Sequence, residues 1–154
     1  MELKGIHHVS AITAYAANNV DFYTNVLGLR LVKKTVNQDD PSVYHLFYGD
    51  EKGRPGTELT FFELKRAARN YDGNNSISST SLRVRNDSAL HYWKKRFEEM
   101  RIEHGNIVER ANRLTLAFQD HEGQRLMLVS DENNTGVPGG KPWEKSTVPS
   151  QQGI

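Results

Sequence analysis

Apolar and polar positions along the chain fall into eight short alternating stretches and two helical ones, in an order that occurs twice. The first stretch, residues 5–12, alternates as a half-buried strand does. Because successive strand side chains point to opposite sides, His8 shares a face with Ile6, Ser10 and Ile12, and His7 lies with Val9 and Ala11. Asn18 and Asn19 then offer an N-cap to a helix carrying Val20, Tyr23, Val26 and Leu27, which ends at Gly28, a natural C′ residue. Three alternating stretches follow at 29–36, 43–48 and 57–63, separated by turn-rich segments.

The second half repeats this order. A strand at 77–84 leads to a helix capped by Asp87 or Ser88, with Leu90, Trp93, Phe97 and Met100 on one stripe. Strands at 106–110, 113–118 and 125–129 follow, with Asn112 and the turn formers Asp120, His121, Glu122 and Gly123 between them. The pattern predicts an α+β chain of two tandem βαβββ units, 1–70 and 71–130. Matching their first strands sets Ser79 opposite His8. Residues 131–154 lose all periodicity and are expected to form a linker-like tail, with Trp143 holding it to the domain.

Composition narrows the function classes. The 20 basic and 19 acidic residues are spread along the chain, which argues against nucleic acid or an anionic membrane as partner. No apolar run approaches the roughly 20 residues of a membrane span, and the first ten residues lack the apolar core of a signal peptide. With no cysteine, there is no disulfide framework and no thiolate ligand or nucleophile, so a cytoplasmic protein is expected and any metal must use His, Asp or Glu. No nucleophile elbow or phosphate loop is present, since no helix follows the glycines at 136–140.

The duplicated unit, the opening Ile6, His7, His8 and Val9, and Phe22 and Tyr23 followed by Leu27, Gly28 and Leu29 resemble the vicinal oxygen chelate superfamily, which includes glyoxalases, bleomycin resistance proteins and dioxygenases. The stretches 32–41, 44–50 and 55–62 resemble one branch of it more closely: the hydroquinone-type ring-cleaving dioxygenases. The resemblance covers the chain but only the N-terminal half of that branch, and 137–150 is similar to its inter-half linker. It implies curved mixed sheets forming a cup around Fe(II), held by two histidines and a glutamate with open positions for substrate and dioxygen.

Carried over residue by residue, the resemblance assigns His8 as one iron ligand. The second histidine falls at Ser79. The glutamate, four residues after a turn glycine, falls at Thr60 counted from Gly56 and at Met127 counted from Gly123. Glu58, of the same strand parity as Thr60, is the best local substitute carboxylate. His7 and Ser10 are expected beside the metal, as outer groups or substrate contacts, and His45 belongs to the structural signature.

These readings make the chain the N-terminal half of an Fe(II)-dependent ring-cleaving dioxygenase. Its partners would be a hydroquinone-like aromatic, dioxygen, and either a C-terminal half or a second subunit in a homo-oligomer. With one ligand of three, the chain alone is expected to be inactive and to bind iron weakly or not at all. Two alternatives remain: a glyoxalase- or thiol transferase-type metalloenzyme whose site is shared between subunits, and a non-catalytic small-molecule binding module.

Overall fold

A computed structural model of the 154-residue chain describes every residue except 1, 3, 4, 69, 70, 72 and 135–138. The chain divides into two compact units, Met1–Ala68 and Arg69–Ile154. Unit 1 contains β1 (His8–Thr13), α1 (Ala16–Asp21) continuing as a π-helical turn (Phe22–Val26), β2 (Arg30–Val36), β3 (Tyr44–Gly49) and β4 (Glu58–Glu63). Unit 2 contains β5 (Thr80–Val84), α2 (Asp87–Met100), β6 (His104–Arg110), β7 (Arg113–Gln119), β8 (Arg125–Ser130) and a closing 3₁₀ turn (Ser150–Gln152). The strand orders are β1-β4-β3-β2 and β5-β8-β7-β6, and in each open, curved sheet the first strand runs parallel to the last while the other pairs are antiparallel. The two units are therefore copies of one α+β topology.

In unit 1 one sheet face is closed by an aromatic core. Tyr23, Tyr48 and Phe61 are fully buried, with Tyr23 4.7 Å from Phe61 and 5.1 Å from Tyr48 between ring centroids. The Tyr48 hydroxyl donates to Asn19 Oδ1 at 2.8 Å, and burial pushes its phenol above the usual range. Asn19 is thus a buried partner of the sheet rather than the expected N-cap. The helix starts three residues earlier, at Ala16, whose N–H donates to Glu63 Oε1 at 2.9 Å. The carboxylate at the end of β4 caps α1 from outside the helix's own sequence, so no local signal marks that start.

In unit 2, α2 lays Ala89, Leu90, Trp93 and Phe97 on its sheet, all fully buried. Asn86, one residue before the expected Asp87 or Ser88, caps it by accepting from the Ala89 N–H at 3.0 Å. The tail is held to this unit by Val148, 5% exposed, and by Gln152, whose carbonyl accepts from the Trp93 indole at 2.9 Å, and the expected anchor Trp143 is half-buried. Residues 135–138 of the expected linker, and residues 69 and 70 at the expected unit boundary, lie outside the described residues. Among the described residues no helix is long and apolar enough to cross a membrane.

Asp131, 2% exposed, ties the end of this sheet together. Its N–H donates to the Val84 carbonyl at 2.9 Å, and its carboxylate accepts from Arg83, Arg113 and Asn134, each at 2.7 Å. The Arg83 hydrogen bond above all holds the carboxyl below its ordinary range, with Asn134 and Arg113 adding to it against the opposing effect of burial. Replacing Asp131 with Asn should lower stability by about 2 kcal/mol near neutral pH, measured by chemical denaturation. Since the folded carboxyl titrates below its unfolded value of about 4, the wild-type advantage should be full above that value and shrink as pH falls through the lower, folded one.

Candidate metal centre

The opening histidines do not sit on opposite faces. Strand β1 begins at His8, so His7 lies outside the regular strand and the alternation never reaches it. Its carbonyl instead accepts from the Gly56 N–H at 2.6 Å, and Gly56 adopts a left-handed φ of +89° as the chain turns into β4. This tether swings the His7 ring onto His8. The rings meet edge to face with centroids 5.2 Å apart, and their Nδ1 atoms are 3.0 Å apart. At that spacing one Nδ1 carries a proton toward the bare lone pair of the other.

The parallel pairing of β1 with β4 supplies the third group. His8 is in register with Glu58 and Ser10 with Thr60, so both pairs emerge on the same side of the sheet. Glu58 Oε2 lies 3.8 Å from His7 Nδ1. His7, His8 and Glu58 each offer a ligand atom, and these lie within 4.8 Å of one another. Two imidazoles and a carboxylate are the donor set that suits Fe(II) and neighbouring transition metals, so the residues present fit the metal that the resemblance implies. His7 and His8 are exposed and Glu58 is half-buried, leaving this side open to solvent.

The same face continues away from the triad. Ser10 Oγ and Thr60 Oγ1 are hydrogen-bonded at 2.9 Å, with Thr60 fully buried and Ser10 exposed. Phe47 pairs with Thr60, and His45 pairs with Phe62. The His45 ring stacks on Phe62 at 3.8 Å and tilts against Phe47 at 4.0 Å, while Lys33 Nζ lies 5.6 Å over Phe47. Burial, then the charges of His8 and Lys33, hold the His45 imidazole below its ordinary pKa, favouring the neutral ring. Strand parity puts Phe47, Phe62 and Lys33 on this face only once β2, β3 and β4 are known to be neighbours.

Among the described residues, unit 2 has no matching triad. The pairing of β5 with β8 begins at Thr80 and Leu126, so Ser79, the residue matched to His8, lies just outside the strand, and Arg125 opens β8 as Glu58 opens β4. Met127 lies opposite Ser81.

The chain is 60% identical over 151 residues to MhqA of Bacillus subtilis (strain 168), a protein named provisionally as a ring-cleaving dioxygenase; the match covers 98% of this chain and 47% of MhqA. It is 29% identical over 152 residues to the chlorohydroquinone/hydroquinone 1,2-dioxygenase of Sphingobium indicum, covering 97% of this chain and 46% of that enzyme. The chain thus spans about half the length of these relatives. A glyoxylase/bleomycin resistance protein/dioxygenase domain from Frankia sp. EAN1pec superposes with a TM-score of 0.70 at 15% identity, over 86% of this chain and 96% of that one, and shares the fold. Residues 5–128, covering both sheets, match the Glyoxalase/Bleomycin resistance protein/Dioxygenase superfamily, and the chain belongs to it.

Proposed function

We propose that this chain is the N-terminal half of an Fe(II)-dependent dioxygenase that cleaves the ring of hydroquinone-like aromatics. The observation that carries the proposal is the 60% identity to MhqA over nearly the whole chain, together with the placement of His8 on the open face of unit 1. The substrate class is supported by the name of the Sphingobium relative, and a cytoplasmic location would suit such an enzyme. In the complete protein, residues beyond this chain, from a second half or a second subunit, would join His8 in holding the iron.

Bound Fe(II) would supply the redox chemistry of ring opening and hold the aromatic and dioxygen in proximity. The chain's own residues have separate tasks. Thr60, buried, fixes the Ser10 hydroxyl through their hydrogen bond and leaves Ser10 its remaining hydrogen-bonding capacity for a ring hydroxyl. The His7 imidazole, 64% exposed and 3.8 Å from the Glu58 carboxylate, is placed to take a proton from that hydroxyl. Phe47, His45 and Phe62 form a flat aromatic row on the same face, against which a planar ring can lie.

In the full-length protein loaded anaerobically with Fe(II), hydroquinone and chlorohydroquinone should drive oxygen uptake. His8→Ala should reduce that uptake to background. Ser10→Ala, which removes one hydrogen bond of about 1 kcal/mol, should lower kcat/KM by about fivefold. Full oxygen uptake by His8→Ala would sink the proposal, as would wild-type protein that retains iron but consumes no oxygen with either substrate.

A further inference from the structure

The open face of unit 1 carries a cation that ring cleavage leaves without a task. One row of paired residues crosses all four strands on this face: Ser10 on β1 is in register with Thr60 on β4, Thr60 with Phe47 on β3, and Phe47 with Lys33 on β2. We infer that Lys33 is a specificity-determining residue, which takes the carboxylate of an acidic dihydroxybenzene whose ring hydroxyl rests on Ser10. The inference deepens the proposed function and rests on it for the identity of the ring.

A β-bulge aims the lysine. Strand β2 pairs with β3 at Leu31 and Tyr48 and next at Lys33 and Phe47, so Val32 is left as an extra residue on β2. Regular pairing would set Lys33 against Leu46, which is fully buried on the side of the aromatic core. The extra residue turns Lys33 to the other side, against Phe47, and carries Thr35 to His45. Bulges recur where a strand must re-aim a side chain beside a site. The ammonium then reaches back over the sheet, with Nζ 5.6 Å from the Phe47 ring centre.

Among the described residues Lys33 forms no ion pair, and the Glu58 carboxylate lies instead beside His7, at 3.8 Å. The next row of the face, Ile12, Phe62, His45 and Thr35, offers no anion. Neighbouring strands stand about 4.8 Å apart, so β1 and the Phe47 strand are about 10 Å apart. That interval holds one aromatic ring with a hydrogen bond at each end, between Ser10 and a ring hydroxyl and from Lys33 to a carboxylate. Thr60 and Phe47 form the floor between them. The bond at the lysine joins two opposite charges and is stronger than a neutral one, whereas an uncharged substituent leaves the ammonium only its contact with Phe47. A lysine that merely guarded the outer strand against pairing with another sheet would not distinguish an acid from its amide.

Anaerobic calorimetric titration of the full-length, Fe(II)-loaded protein with 2,5-dihydroxybenzoate and with 2,5-dihydroxybenzamide tests the assignment. The acid should bind about tenfold more tightly than the amide. Lys33→Met keeps the apolar stem and removes the charge, and should erase that difference by weakening the acid about tenfold. Lys33→Arg should retain a preference for the acid. Lys34→Met, at a lysine whose Nζ lies 4.2 Å over Tyr44, should change neither affinity. Equal affinity of the wild type for acid and amide overturns the inference, as does failure of the acid to bind, or a Lys33→Met protein that still prefers the acid. Oxygen uptake with hydroquinone judges ring cleavage separately. Charge-dependent binding without uptake would sink the ring-cleavage proposal alone, and uptake without charge-dependent binding would sink the Lys33 assignment alone.

Discussion

The parallel pairing of β1 with β4 is the constraint on which the candidate centre depends. It sets His8 beside Glu58 and Ser10 beside Thr60, on the side of the sheet that faces away from the aromatic core. A slip of one residue would carry these polar groups onto the buried face and bring Val9 and Ala11 out, so burial of the core locks the register that assembles the site. Fold stability and ligand geometry are therefore set by the same set of backbone hydrogen bonds.

The two units show how far one topology can diverge in its use. Both run the first strand parallel to the last, and both turn into that last strand through a glycine with positive φ, Gly56 and Gly123. Unit 1 leaves two histidines and a carboxylate on the open face near this turn. Unit 2 has Ser79 where the repeat aligns His8 and opens its last strand with Arg125, and one step beyond the end of that strand buries Asp131 between Arg83 and Arg113. Its carboxylate is fully committed to holding strands together, whereas Glu58 remains half-buried and available.

The glutamate position illustrates the limit of counting along the chain. Counting four residues from Gly56 reaches Thr60, which the structure occupies with a buried hydroxyl bonded to Ser10. Glu58 lies two residues earlier with the same parity, and its relevance follows only from which residue of β1 it faces. His7 is the sharper case. Regular alternation puts it opposite His8, but a hydrogen bond to Gly56, 49 positions away in sequence, holds it outside the strand and against its neighbour.

Periodicity and turn chemistry by themselves determined the elements, their order, the internal duplication and the α+β class, because each depends on residues a few positions apart. They also determined that His8, Ser10 and Ile12 share a face. Tertiary structure alone decided what closes the helices and what meets across the sheet: Glu63 capping α1, Asn19 buried against Tyr48, and His7, His8 and Glu58 converging on one point. Each of these contacts joins residues whose strand register or backbone tether is fixed by burying a distant core, and no local pattern encodes that distance.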